Sequence, residues 1–240
     1  MKKIKVLFVI IFILLFASWS KPREVNITDM EIREGITYVK GETKAFTGII
    51  KSYYENGNLE SEGNFKDGKL NGLSKVYYEN GDLKREDNYK DDKREGLFKG
   101  YYENGDLKRE DNYKDGKKEG LSKVYYENGN IKIEGNFKDD KLEGLSKEYY
   151  ENGNIKIEAN FKDDELEGLY KSYYDNGGLE SERLYKDGKL EGLSKTYYEN
   201  GNLKYEITYK EGKKNGISKF YNENGSLQSK VTFKDDYVIY

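Results

Sequence analysis

The sequence predicts an all-β fold, an elongated single-sheet solenoid of stacked antiparallel β-hairpins built from eight 24-residue repeats. Three observations predict it. Glycine recurs every 24 residues without insertion, at Gly48, Gly72, Gly96, Gly120, Gly144, Gly168, Gly192 and Gly216. A fixed period of this kind is the signature of a repeat architecture. An Asn-Gly pair then recurs at the same phase of every repeat, from Asn56-Gly57 to Asn224-Gly225, and Asn-Gly between β-rich runs is a strong hairpin signal. No helical period is sustained anywhere after residue 20.

Before the repeats, Lys2, Lys3 and Lys5 precede an apolar stretch from Val6 to Trp19. A membrane span needs about 20 apolar residues, whereas a signal-peptide core needs roughly 7–15. Ser18 and Ser20 supply small residues for a cut before Lys21. Residues 1–20 are therefore read as a signal peptide and the chain as exported to the periplasm, the cell envelope or the medium. An uncleaved anchor is the alternative. Residues 21–47 are read as an N-terminal cap, a degenerate half-repeat with Tyr38 and Phe46 in strand positions. The repeats run over 48–239, with Tyr240 closing a C-terminal cap. Asn222 and Lys230 make the last repeat atypical, as expected where a repeat meets an open edge.

Positions within a repeat are numbered 1–24 from its glycine. The Asn-Gly pair occupies positions 9 and 10. It is expected to form a two-residue type I′ turn with positive φ at both residues. The Lys-Asp-Gly-Lys-type segment is expected to be a longer connection to the next hairpin. A two-residue turn makes cross-strand partners sum to 19, so position 4 faces position 15. Position 4 is Lys throughout, from Lys51 to Lys219, and position 15 is Glu in seven repeats, from Glu62 to Glu206. Opposite charges directly across the strands support the register.

Alternation divides the side chains between two faces. One carries positions 2, 4, 6, 8, 11, 13, 15 and 17 and is nearly constant. The other carries Tyr at 7, Leu or Ile at 12, Phe or Tyr at 18, and positions 3, 5, 14 and 16, which vary. The tyrosines at 6 and 7, with the aromatic at 18, are expected to stack between neighbouring hairpins, because an isolated hairpin is marginal.

Composition narrows the chemistry. Charged residues make up 36% of the chain, yet aromatics reach 15% and there is one Pro. This suits a thin, locally packed sheet better than disorder. A net charge of −3 gives no general pull toward nucleic acid. The chain has no Cys and no His, which removes thiolate chemistry, disulfides, the usual general base and the usual zinc ligands. Its carboxylates form repeated, equivalent ladders, whereas catalytic pairs need contrasting environments. No enzyme, cofactor or metal is expected. The Asp-Asp pairs, such as Asp91-Asp92 and Asp139-Asp140, are read as solvated turns.

The unit Tyr-Tyr-Glu-Asn-Gly-Asn-Leu-Lys, followed by Phe-Lys-Asp-Gly-Lys and a spaced glycine, resembles the MORN repeat. The likeness is to the bacterial variant found in YwqK-type antitoxin-like proteins. It covers Gly48 to the C-terminus. It implies a hairpin solenoid and a role in protein or membrane-surface binding. Some relatives are described as antitoxins, and a signal peptide would move such a role to an immunity partner in the envelope.

Eight regular units with one variable face point to a scaffold that binds a protein partner along an extended surface. Candidate contact residues are the apolar group Val124, Ile133, Ile157 and Ala159, the charged neighbours Arg85 and Arg109, and a C-terminal group of Tyr205, Ile207, Phe220 and Val231. A cell-wall glycan or membrane-surface module is the alternative. The choline-binding wall repeats it also resembles rely on Trp-rich cages, and the one Trp here is Trp19.

Overall fold

A computed structural model describes residues 21–240. The residues read as a signal peptide lie outside it. Among the described residues there is no α-helix, and 22 strand segments form one long sheet. The sheet is a continuous meander that does not close into a barrel.

Each repeat contributes a leading strand (Gly48–Tyr53 in the first, Lys69–Tyr77 in the second) and a trailing strand (Leu59–Lys66 and Leu83–Lys90). Each trailing strand pairs antiparallel with the leading strand before it and, in all repeats but the last, with the one after it. At the N-terminal edge, Glu24–Asn26 lies parallel to Gly48–Tyr53. A two-stranded hairpin, Met30–Arg33 with Ile36–Val39, follows a single 3-10 turn. Phe46 is buried against Phe65, and its carbonyl accepts from Gly68 N–H at 2.7 Å. At the other end Tyr237–Ile239 pairs with Thr232–Lys234, and Tyr240 follows fully exposed.

The two turn types are the reverse of the sequence expectation. At the Asn-Gly turns only the glycine has positive φ, for example +87° at Gly57. Tyr54 N–H donates to Asn58 C=O and Gly57 N–H to Tyr54 C=O. The loop is therefore three residues, Glu55-Asn56-Gly57, a type I turn closed by a left-handed glycine. The two-residue turns sit instead at positions 20 and 21. There both residues have positive φ, as at Asp67 and Gly68 or Asp91 and Asp92, and Lys66 faces Lys69. Asp tolerates this region better than most residues. The second Asp also bonds outward: the carboxylate of Asp92 accepts from Leu70 N–H, and that of Asp140 from Lys118 N–H.

The expected register nonetheless holds at the centre of each hairpin, where Lys51 faces Glu62. Two single-residue offsets cancel. The three-residue loop makes Tyr53 face Leu59, and a bulge at position 13 then restores the sum of 19 from Ser52–Ser61 onward. A second bulge kinks the leading strand. Asn71, Gly72 and Leu73 together oppose the single Asn64, whose side-chain amide donates to Leu73 C=O.

Candidate partner-binding surface

Correct register turns position 4 and position 15 into one unbroken line across the sheet. Lys51, Glu62, Lys75, Glu86, Lys99 and Glu110 stand side by side, and the alternation continues to Glu206 and Lys219. It starts at Glu24, which pairs with Lys51 at 2.8 Å, and ends where Lys219 faces Lys230. Exposed pairs of this kind contribute about 0.2–1 kcal/mol each.

The tyrosines join this ladder through their hydroxyls rather than by ring stacking. Tyr77, Tyr101, Tyr125, Tyr149 and Tyr173 donate to Glu62, Glu86, Glu110, Glu134 and Glu158, the glutamate of the preceding repeat. Burial pushes these phenols up to about 12, with the accepting carboxylates adding to the shift. The second tyrosine of each pair reaches forward, as Tyr78 donates to Tyr101 C=O. The constant face is thus occupied with holding repeats to one another, while Tyr78 lies on the variable face. The bulge also turns position 13, expected on the constant face, to the variable one, where Lys84 and Lys108 lie over Tyr78 and Tyr102.

The variable face divides into two rows with different exposure. The row of positions 3 and 16 is largely buried, because the side chain at position 23 folds over it. A Cβ on Gly63 would lie 2.9 Å from Leu70 Cδ1, and one on Gly135 2.8 Å from Leu142 Cδ1. Residues 16 and 23 are matched in chemistry in six of the eight repeats; Arg183 with Leu190 and Ile207 with Lys214 are the exceptions. Gly63, Gly135 and Ala159 precede Leu70, Leu142 and Leu166, whereas Asp87 and Asp111 precede Arg94 and Lys118. Asp87 lies 3.0 Å from Arg94 Nε, and Asp111 3.3 Å from Lys118 Nζ.

The two buried aspartates differ. Burial pushes the Asp87 carboxyl up, and the partly opposing pull of Arg94 and Arg85 does not compensate. Burial also pushes Asp111 up, but the Ser122 hydroxyl at 2.6 Å, Arg109 and Lys118 together hold it below the usual carboxylate range.

The row of positions 5 and 14 is the more open one, although Ser52, Gly100, Ser172, Ser181 and Thr196 within it are buried. It passes one residue per strand from Ser52 to Ser229, through Ser61, Val76, Arg85, Gly100, Arg109, Val124, Ile133, Glu148, Ile157, Ser172, Ser181, Thr196, Tyr205 and Phe220. Seven sequence candidates lie in it: Arg85, Arg109, Val124, Ile133, Ile157, Tyr205 and Phe220. Ile133 is 40% exposed, and Tyr205 packs on Phe220 at 6.3 Å.

Ala159 and Ile207, expected to be contact residues, are 2% and 6% exposed. They belong to the buried row, as does the half-buried Val231, so Ala159 and Ile207 serve packing and cannot meet a partner directly. Sequence reading missed Gly100 and Phe98, which line a hollow of about 290 Å³ between Arg85 and Arg109. Its signal was a glycine at position 5, where the other repeats carry a side chain. A second, largely apolar hollow of about 540 Å³ lies beneath the N-terminal cap, against Ile27, Met30, Ile50, Phe65 and Leu70. No cluster of acidic residues among the described residues is arranged to hold a metal ion.

A search of curated proteins found no match. A MORN repeat variant profile matches residues 46–67, 70–91, 94–115, 118–139, 142–163, 166–187, 190–211 and 214–235. Each match opens at position 23, so its unit joins the covering side chain to the hairpin that follows it. MORN repeats are generally associated with binding or scaffolding, and an all-β repeat scaffold is typically non-enzymatic. With eight in-phase units spanning most of the sequence, this chain belongs to the MORN repeat variant family.

Proposed function

We propose that this chain is an exported scaffold that binds a protein partner through the row of positions 5 and 14. One observation carries the reading. The row is continuous across the sheet and changes from small polar to cationic at Arg85 and Arg109, to apolar around Glu148, to small polar again from Ser172 to Thr196, and to aromatic at Tyr205 and Phe220, while the opposite face repeats one chemistry throughout. A constant frame presenting a variable strip is what solenoid recognition surfaces require. A photo-crosslinking amino acid at Ile133 or Ile157, in cells that make the protein, should capture a specific protein. The same residue at Leu145 or Leu169, exposed on the constant face, should not. Equal capture from both faces would sink the reading.

Export rests on the basic and apolar N-terminal segment and is tested by mass spectrometry of the mature chain, which should begin at Lys21. The resemblance to YwqK-type antitoxin-like proteins favours a narrower form, in which the partner is a toxin acting in the envelope. Co-expression with that partner would then restore growth, and variants of the row would abolish rescue.

A further inference from the structure

The central part of the row has a property its neighbours lack. Val76, Arg85, Gly100, Arg109 and Val124 stand on five successive strands, so two arginines straddle a glycine between two valines. Backbone geometry does not require this glycine, because Gly100 has no positive φ. Crowding does not require it either. A Cβ at Gly100 would meet Phe98 at 3.4 Å and Arg109 Cβ at 4.0 Å, ordinary contacts, in contrast to the tight approaches at Gly63 and Gly135. What the glycine does is keep open the hollow of about 290 Å³ lined by Arg85, Phe98, Arg109 and Val124.

The hollow is largely apolar in surface and bordered by four cationic side chains, Lys84, Arg85, Lys108 and Arg109, with Arg94 and Lys118 outside its lining. Arg85, Arg94, Arg109 and Lys118 gather around the two carboxylates of Asp87 and Asp111. Asp87 is held more closely by Arg94, at 3.0 Å, than by Arg85, at 3.6 Å. The side chains of Arg85 and Arg109 remain 42% and 40% exposed. Arg109 already directs Nε and Nη2 at Asp111, whereas Arg85 has only the 3.6 Å contact to Asp87, so Arg85 offers the planar forked donors that match a carboxylate and Arg109 adds its charge beside them.

Resting on the scaffold reading above, we infer that this hollow is a specificity pocket that receives an acidic side chain, Asp or Glu, from the bound protein. The carboxylate sits above Gly100 between Arg85 and Arg109. The apolar groups beside it on the partner lie along Val124 and Ile133.

The test is a random-peptide display selection on the purified full chain and on three variants: Arg85→Gln with Arg109→Gln, Gly100→Val, and Ile133→Ser. The double variant should fold, since Asp87 retains Arg94 and Asp111 retains Ser122 and Lys118. Circular dichroism checks this. The wild-type chain should enrich peptides with a fixed Asp or Glu, and the amide version of that residue should bind about tenfold more weakly. The double arginine variant and Gly100→Val should lose the acidic preference. Ile133→Ser should weaken binding and keep it. Enriched peptides with no acidic preference, or a preference that survives the double variant, would overturn the pocket and leave the scaffold standing. Competition by free glutamate as effective as by the peptides would assign the hollow to a small anion and overturn it. Self-association abolished by the double variant would make the occupant a second copy and would likewise overturn the pocket. Failure to enrich any peptide on the wild-type chain would overturn the scaffold reading as well.

Discussion

Residues 85–118 and residues 133–166 share their turns and their central Lys–Glu register but have opposite interiors, and the leading strand is interrupted in the first (Lys93–Arg94, Gly96–Tyr101) and continuous in the second (Lys141–Tyr149). In the first, Asp87 and Asp111 lie buried under Arg94 and Lys118. In the second, Gly135 and Ala159 lie under Leu142 and Leu166. In both interiors the residue at position 16 and the one seven places later at position 23 are matched to one another, although Arg183–Leu190 and Ile207–Lys214 elsewhere in the chain are not. The chemistry of the core therefore changes from repeat to repeat, and in six of the eight repeats the pair changes together. What stays constant is the frame: the Lys–Glu line, the tyrosine hydroxyls that bridge to it, and the turns at both margins. Replacing a well-matched ion pair by apolar residues of suitable size is frequently neutral in other proteins, and these two regions show the exchange within one chain.

The largest effect is expected where both regions are struck at once. The phenols of Tyr77, Tyr101, Tyr125, Tyr149 and Tyr173 are pushed up to about 12 by burial and by their glutamates. Folding favours the protonated phenol, so their contribution is intact below the ordinary tyrosine value of about 10 and is lost as pH rises toward about 12. Hydrogen exchange across this range should show both regions loosening together. Loss confined to one region would break the idea of a shared frame.

Mismatching the core pair should come next. Gly135→Asp places a carboxylate beside Leu142 and is expected to cost about 3–5 kcal/mol. Adding Leu142→Arg should recover most of that, and a double-mutant cycle in denaturant measures the coupling. Additive costs would show that positions 16 and 23 are independent.

The two buried aspartates sharpen the comparison further. Asp111→Asn leaves Arg109 and Lys118 without their charge partner and should cost about 3 kcal/mol at neutral pH. Asp111 is held below the usual range, so its contribution is present above the ordinary carboxylate value and is lost as pH falls through the lowered one. Asp87 is shifted the other way, and its folded form favours the proton. Asp87→Asn should therefore leave stability unchanged or raise it by up to about 1 kcal/mol, an advantage that disappears on acidification. Equal losses from both variants would mean the two sites are alike.

The frame itself can be probed at one turn. Gly129 has a φ of +84°, and Gly129→Val should cost roughly 1–3 kcal/mol. Lys138→Val, at the exposed end of the trailing strand, should cost well under that. Thermal unfolding of the two variants side by side checks it.

Much of this was legible in the sequence. The 24-residue period, the strands, the facing of Lys and Glu, and the division into a constant and a variable face all follow from residue pattern, because repetition makes each signal appear eight times. The turn types were not legible. The Asn-Gly signal outweighs Asp-Gly in isolated sequence, and only the hydrogen bonds show that Tyr54 and Asn58 enclose three residues. The bulges escaped because an extra backbone residue leaves little side-chain mark: the one at position 13 carries Glu, Lys or Gln, and the other shows only its glycine. Their two offsets cancel, so the Lys–Glu register came out right from a turn that was wrong. Among the ten candidate contacts, seven share the open row, and Ala159 and Ile207 were misplaced because burial in a single-layer sheet depends on what folds over it.

The amino-acid sequence by itself determined the repeat, its strand pairing and the identity of the changing positions, since these rest on local periodicity and on turn-forming residues. The tertiary structure alone decided which changing positions are core and which are surface. That choice is made by position 23, which covers position 16 only after the leading strand has kinked at its bulge. It also decided that Gly100 leaves a space, because a missing side chain becomes a hollow only when its neighbours Arg85 and Arg109 are brought to either side of it.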